Sequence, residues 1–81
     1  MLSALKIEGR RGALLYDPSI DRPVVQFARG GFSEGLHCGQ LITLVRDKEV
    51  YKTRLELDED GWYYADTHGL RCEWEDLVYL P

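Results

Sequence analysis

The run Asp58-Glu59-Asp60-Gly61 constrains the fold of this chain more than any other stretch. It divides two strand-like segments, Val50–Leu57 and Trp62–Ala65, and its Asp-Gly pair supplies the positive φ that a tight reversal needs. Ahead of the reversal the chain alternates, with Tyr51, Thr53, Leu55 and Leu57 on one face and Lys52, Arg54 and Glu56 on the other. That period of two is the mark of a strand with one face in a core and one in water. The region Leu36–Ala65 therefore reads as three consecutive antiparallel strands, with a first hairpin before it and a closing strand after it.

The flanking residues follow the same pattern. Arg11–Tyr16 and Pro23–Ala28 are strand segments separated by Asp17-Pro18-Ser19-Ile20-Asp21, where Asp caps its own backbone and Pro presets φ. Arg29–Gly35 holds three glycines and reads as a mobile loop around Phe32, whose ring is expected to fold back over the end of the core, the alternative being that it stands out for a partner. Gln40–Arg46 is apolar on both faces, Leu41 and Val45 against Ile42 and Leu44, which predicts a central strand covered on both sides or curled into a barrel. Asp47-Lys48-Glu49 and Asp66-Thr67-His68-Gly69 are turns. Leu70–Glu73 extends the meander, Trp74-Glu75-Asp76 predicts one 3₁₀ turn, and Leu77–Leu80 a final strand. No amphipathic helix of useful length is present.

The 81 residues make one domain, with 1–9 a flexible lead-in and 10–81 the folded unit. Short strands with a turn roughly every ten residues predict an all-β fold. At this size closure would remove vulnerable edges, so the expected form is a small SH3-like (Tudor-like) barrel of five to six short antiparallel strands. No apolar run reaches the ~20 residues of a membrane-spanning helix, and the N-terminus lacks the pattern of a secretory signal. Two cysteines, Cys38 and Cys72, do not make a disulfide scaffold; two reduced thiols and a cytoplasmic location are expected.

Charge is unevenly distributed. Residues 1–40 carry five basic and four acidic side chains, whereas residues 41–81 carry five and ten, which together give the net −4. The C-terminal half repels a phosphate backbone. The basic residues of the first half, Lys6, Arg10, Arg11, Arg22 and Arg29, keep open a nucleic-acid-associated role.

Four constellations bear on chemistry. His37, Cys38, His68 and Cys72 are competent zinc ligands, but a structural zinc needs four groups converging. On a strand His37 and Cys38 would point to opposite faces, so the expectation is a buried Cys38 and a loop His37. Cys38 beside His37 with Glu34 nearby superficially offers a thiol, a base and a carboxylate, yet adjacency in sequence is not convergence in space. Asp58, Glu59 and Asp60 lack the ligand spacing of a calcium loop, and no phosphate-binding Gly-Lys-Ser/Thr loop exists. No catalytic residue, metal or cofactor is implied. The fourth constellation is aromatic: Tyr51, Trp62, Tyr63, Tyr64 and Trp74. Trp62 and Tyr64 share one face of their strand and Tyr63 takes the other, so one face fills the core, and the other either binds a partner or is covered by the N-terminal segment, by Trp74 or by a second copy of the chain. Acidic neighbours Asp66, Glu73, Glu75 and Asp76 suit a basic partner.

Several pieces occur in an order that resembles a family of small uncharacterised bacterial domains associated with Gram-positive genomes and their mobile elements. They are Gly12-Ala13-Leu14-Leu15-Tyr16-Asp17, Asp21-Arg22, Leu36-His37-Cys38-Gly39, Thr53-Arg54-Leu55-Glu56 and Gly61-Trp62-Tyr63-Tyr64. The resemblance covers most of residues 10–72. It implies a bacterial cytoplasmic accessory protein and carries over no catalytic residue. The expected function is a non-catalytic, protein-binding module that uses the aromatic and acidic face, including the option of a homodimer. A nucleic-acid-associated accessory protein of a mobile element and a zinc-stapled domain are the alternatives.

Overall fold

The computed structural model describes residues 7–81, so most of the expected lead-in, residues 1–6 with Lys6, lies outside the described residues. Six strands form: β1 (Arg10–Asp17), β2 (Arg22–Phe27), β3 (Leu41–Arg46), β4 (Glu49–Asp58), β5 (Gly61–Tyr64) and β6 (Asp76–Leu80). All neighbours are antiparallel, in the spatial order β2-β1-β6-β3-β4-β5. The last strand is inserted between the first and the third, which joins the two hairpin systems into one sheet. No helix occurs among the described residues, so none is long and apolar enough to cross a membrane.

The fold is all-β, as the turn spacing requires, but the sheet is not closed. Among the described residues no ladder joins the edge strands β2 and β5. A single apolar cluster nevertheless takes Leu14 from β1, Val25 and Phe27 from β2, Ile42 and Leu44 from β3, Leu55 from β4, Tyr64 from β5 and Val78 and Leu80 from β6. A flat six-stranded sheet would hold its edges ~24 Å apart, so a shared core requires the sheet to curl over it. The corner lies in β4, which pairs with β3 over Glu49–Arg54 and with β5 over Leu55–Asp58.

Edge protection, the reason for expecting closure, is achieved by the chain's own loops. Along the outer edge of β2, the Ser33 N–H donates to Val25 O at 2.8 Å and the Leu36 N–H to Pro23 O at 2.8 Å, and Phe32 bridges Gln26. Leu36 then turns into the core at 4 % exposure. Along β5, the Tyr64 N–H donates to Leu70 O at 2.9 Å and the Cys72 N–H to Trp62 O at 3.1 Å, with Arg71 bridging Tyr63. The stretch Leu70–Glu73 thus contributes a one-residue bridge rather than a strand. Paired edges do not offer a template to other chains.

Other details depart from the sequence pattern. Trp74 and Glu75 form a β-turn closed by the Asp76 N–H donating to Glu73 O at 3.0 Å, and Glu75 has φ of +79°, which excludes a 3₁₀ turn. Phe32 stays out in solvent at 62 % exposure because its backbone is committed to the β2 edge. Strand β3 is central, yet only its Ile42 and Leu44 face is fully covered; Leu41 is 62 % exposed. Leu57, on the expected core face of β4, is half exposed, since β4 runs past the corner toward the Asp58–Gly61 reversal.

One polar cluster is built into this core. The Asp76 carboxylate, with its side chain 7 % exposed, accepts from the Arg46 guanidinium at 2.7 and 3.3 Å, from the Tyr64 hydroxyl at 2.6 Å and from the Glu73 N–H at 2.9 Å. Arg46 also donates to Arg71 O at 3.0 Å. Burial, then the hydrogen bond to Asp76, pushes the Tyr64 phenol far above its ordinary value. Burial pushes the neighbouring Cys72 thiol up to about 11.

Two outcomes are expected. Both raised groups hold their protons in the folded state at a pH where the unfolded chain has released them, so stability is fully present below about pH 8.5, the ordinary thiol value, and falls above it. Urea unfolding from pH 7 to 11 measures this decline, and Tyr64→Phe flattens the limb above about pH 10, where an unfolded tyrosine ionises. At Gly12 an added Cβ would lie 2.4 Å from Gln26 O and 2.5 Å from Val25 Cγ1. Gly12→Ala therefore costs ~1–3 kcal/mol in the same assay, the usual range for overpacking.

Candidate functional site

The five aromatic residues expected at a binding surface separate into four groups. Tyr64 is fully buried and belongs to the core. Tyr51 and Trp62 are half-buried and pack against that same core. The register explains this: Tyr51 opposes Leu44, and Trp62 stands two residues from Tyr64 on the concave face. Tyr63 is half-buried on the other face, where the Arg71 guanidinium lies 5.3 Å from its ring centre. Arg71 is itself fixed by Asp58 at 2.5 and 3.2 Å and by Gly61 O at 3.0 Å. That pair holds the Asp58 carboxyl below its usual range. The second aromatic face is thus occupied within the chain.

Trp74 alone stays substantially exposed, at 44 %. Its ring packs on Tyr16, centres 5.5 Å apart and planes tilted by 40°. Two elements bring them together. Tyr16 stands near the end of β1, and the Trp74–Glu75 turn is anchored alongside β1 by the Glu75 N–H donating to Leu14 O at 2.6 Å. Carboxylates surround the pair in sequence and register: Asp17 and Asp21 on the β1–β2 turn, and Glu73 and Glu75 beside Trp74. The Tyr16 hydroxyl donates to Asp21, which raises the phenol's pKa, with a further contribution from Asp17. Arg22 opposes Asp17 in register and donates to Leu36 O at 3.3 Å. Tyr16 carries no signal in sequence as a site residue, because nothing local announces that β1 and the Trp74 turn are neighbours.

The reactive-looking residues do not converge. Among the described residues no three of His, Cys, Asp and Glu are grouped to hold a metal ion, and His37, Cys38, His68 and Cys72 are not gathered. Cys38 is exposed rather than buried, because the chain turns at Cys38–Gly39 before entering β3. Both cysteines are free thiols. No hydrogen bond links Cys38, His37 and Glu34 among the described residues, so the superficial triad is a surface loop.

At the other end of β1 lies a depression of about 490 Å³ lined by Gly9, Arg10, Arg11, Phe27, Ala28, Arg29, Gly30 and Tyr79. Of the basic residues singled out in the first half, it gathers Arg10, Arg11 and Arg29 and leaves Arg22 at the opposite end of β2. The Arg10 guanidinium lies 3.9 Å from the centre of the Phe27 ring.

A family model described as a domain of unknown function, DUF5348, matches residues 12–73. The chain belongs to that family. No curated protein and no solved structure matches it. The match takes in Tyr16, Arg29 and the strands from Gly12 to Tyr64, and ends one residue before Trp74.

The division of the aromatics predicts different outcomes for the two tryptophans. Trp62→Ala opens the core beside Tyr64 and costs about 3 kcal/mol, at the low end for an aromatic truncation. Trp74→Ala loses one exposed ring contact, worth ~0.5–1.5 kcal/mol. Urea unfolding followed by far-UV circular dichroism separates the two.

Proposed function

We propose that this domain is a non-catalytic interaction module that binds a protein partner through the Tyr16–Trp74 pair and the carboxylates around it. The single observation that carries the reading is the tilted, partly exposed ring pair, with Asp21 hydrogen-bonded to Tyr16 and with Asp17, Glu73 and Glu75 next to the two rings in sequence. Aromatic faces attract cations through their quadrupole, worth ~0.5–1 kcal/mol at exposed sites, and carboxylates beside them add longer-range attraction. The partner is accordingly a segment presenting Arg or Lys. Tyr51, Trp62 and Tyr64 support the site from the core rather than touching the partner, and Tyr63 is held by Arg71. On this reading the module acts in a bacterial cytoplasm as an accessory protein of a mobile element, the setting that the motif resemblance implies.

The test is a titration of the 15N-labelled domain with short Arg- and Lys-containing peptides, following the Trp74 indole and the Glu73–Asp76 amides. Shifts confined to that turn and to Tyr16–Asp21 are expected, weakening as salt rises. Trp74→Ala lowers affinity about tenfold, equivalent to ~1.4 kcal/mol, with the spectrum of the folded domain retained. Unchanged binding in Trp74→Ala, or shifts centred elsewhere, would falsify the reading.

A further inference from the structure

The arginines of this chain fall into two classes. Arg46, Arg54 and Arg71 each form an ion pair with a carboxylate. Among the described residues, Arg10, Arg11, Arg22 and Arg29 form none, and three of these four line one depression. Bringing like charges together is unfavourable unless something offsets it. The chain has 14 acidic side chains against 10 basic ones, so carboxylates to neutralise this group are not scarce. They are placed elsewhere.

The backbone determines how the three meet. Arg10 and Arg11 are adjacent on β1 and point to opposite faces of the sheet. Arg10 lies over Phe27, a core residue, and Arg11 stands in register with Tyr79 on the outer face. The Ala28 N–H donates to Arg11 O at 2.9 Å, and the chain then turns, the Gly30 N–H donating to Phe27 O at 2.9 Å. That turn delivers Arg29 to the same end of the sheet. Gly30, with φ of +105°, has nothing within 4 Å of where a Cβ would stand, so the wall it forms is open. Three arginines therefore line the depression, with one half-buried aromatic ring, Tyr79, in its wall.

We propose that this depression binds the phosphodiester backbone of a single-stranded nucleic acid. Guanidinium groups match phosphate oxygens in a bidentate manner, and a volume of about 490 Å³ lies within the range of small-molecule sites, room for a nucleotide unit. An aromatic wall beside cations is the combination that holds single strands without reading sequence. A duplex is disfavoured, because the basic surface is a single patch on a molecule of net charge −4. The site is separate from the Tyr16–Trp74 pair: Arg11 and Tyr16 stand five residues apart along β1, about 17 Å.

The test is fluorescence anisotropy of a labelled oligothymidylate titrated with the full chain at several salt concentrations. Contact with two or three phosphates gives a slope of log K against log salt of about −1.4 to −2.1. Arg29→Gln and Arg11→Gln, both exposed and therefore neutral to folding, each weaken binding about tenfold and reduce the slope by about 0.7. Lys48→Gln, on the distant β3–β4 turn, removes the same charge and leaves binding unchanged. Equal weakening by Lys48→Gln overturns the site in favour of diffuse attraction. Equal affinity for a duplex, for a polyglutamate peptide or for inorganic pyrophosphate overturns the assigned ligand class, as does absence of binding at 20–50 mM salt, about the low-salt end of such titrations. Trp74→Ala keeps full oligonucleotide affinity, so failure here and failure of the peptide site are read independently.

Discussion

The Asp76 carboxylate is the point on which the C-terminal half of this domain is assembled. It opens β6, receives Arg46 from the end of β3 and Tyr64 from the end of β5, and caps the turn it closes through the Glu73 N–H. Burying an ion pair costs desolvation that Coulomb attraction alone does not recover. Four hydrogen bonds to the two oxygens make the arrangement tolerable, and charge-assisted bonds of this kind are the stronger ones. The arrangement has one geometric consequence for function. It draws Tyr64 inward, so that the Trp62–Tyr64 face becomes core, and it holds the turn that puts Trp74 beside Tyr16.

A small open sheet is normally at risk along its edges, which is the argument for a barrel. This chain meets the same constraint with loop segments that run along β2 and β5 and satisfy their free amides and carbonyls. The two ends of β1 differ in character. One end carries the acidic aromatic pair and the other carries arginines that have no ion-pair partner among the described residues. The opposite character of the two ends follows from where the carboxylates are spent: Arg46, Arg54 and Arg71 each have a carboxylate partner in the C-terminal half, while those of the N-terminal half have none among the described residues.

The positions of β1, β2, β3, β4, β5 and β6 were legible within one or two residues, because each is bounded by Asp, Pro or Gly turn chemistry. The Asp58–Gly61 reversal and the central place of β3 were legible for the same local reason, and the resemblance read over most of residues 10–72 agrees with the family match at 12–73 only in pointing to an uncharacterised domain. The candidate site was legible at Trp74 and its neighbours Glu73 and Glu75, but not at Tyr16, Asp17 or Asp21. Tyr64 and Trp62 fell to the core because β4 turns a corner at Arg54–Leu55, and a corner depends on which partner each half of the strand takes. The exposure of Phe32 and Cys38 was misread for a related reason: a loop that pairs with an edge strand directs its side chains according to that strand.

By itself the sequence determined an all-β chain, its turns and the sign of charge in each half, since these depend on the period of two and on residues adjacent in the chain. Tertiary structure alone decided that β6 inserts between β1 and β3, and with it everything that meets across those strands. Tyr16 finds Trp74, Arg46 finds Asp76, and Arg11 stands beside Tyr79 only because residues some sixty or thirty positions apart become neighbours. Contacts of that range are set by the packing of one shared core, a property of the whole chain that no local pattern encodes.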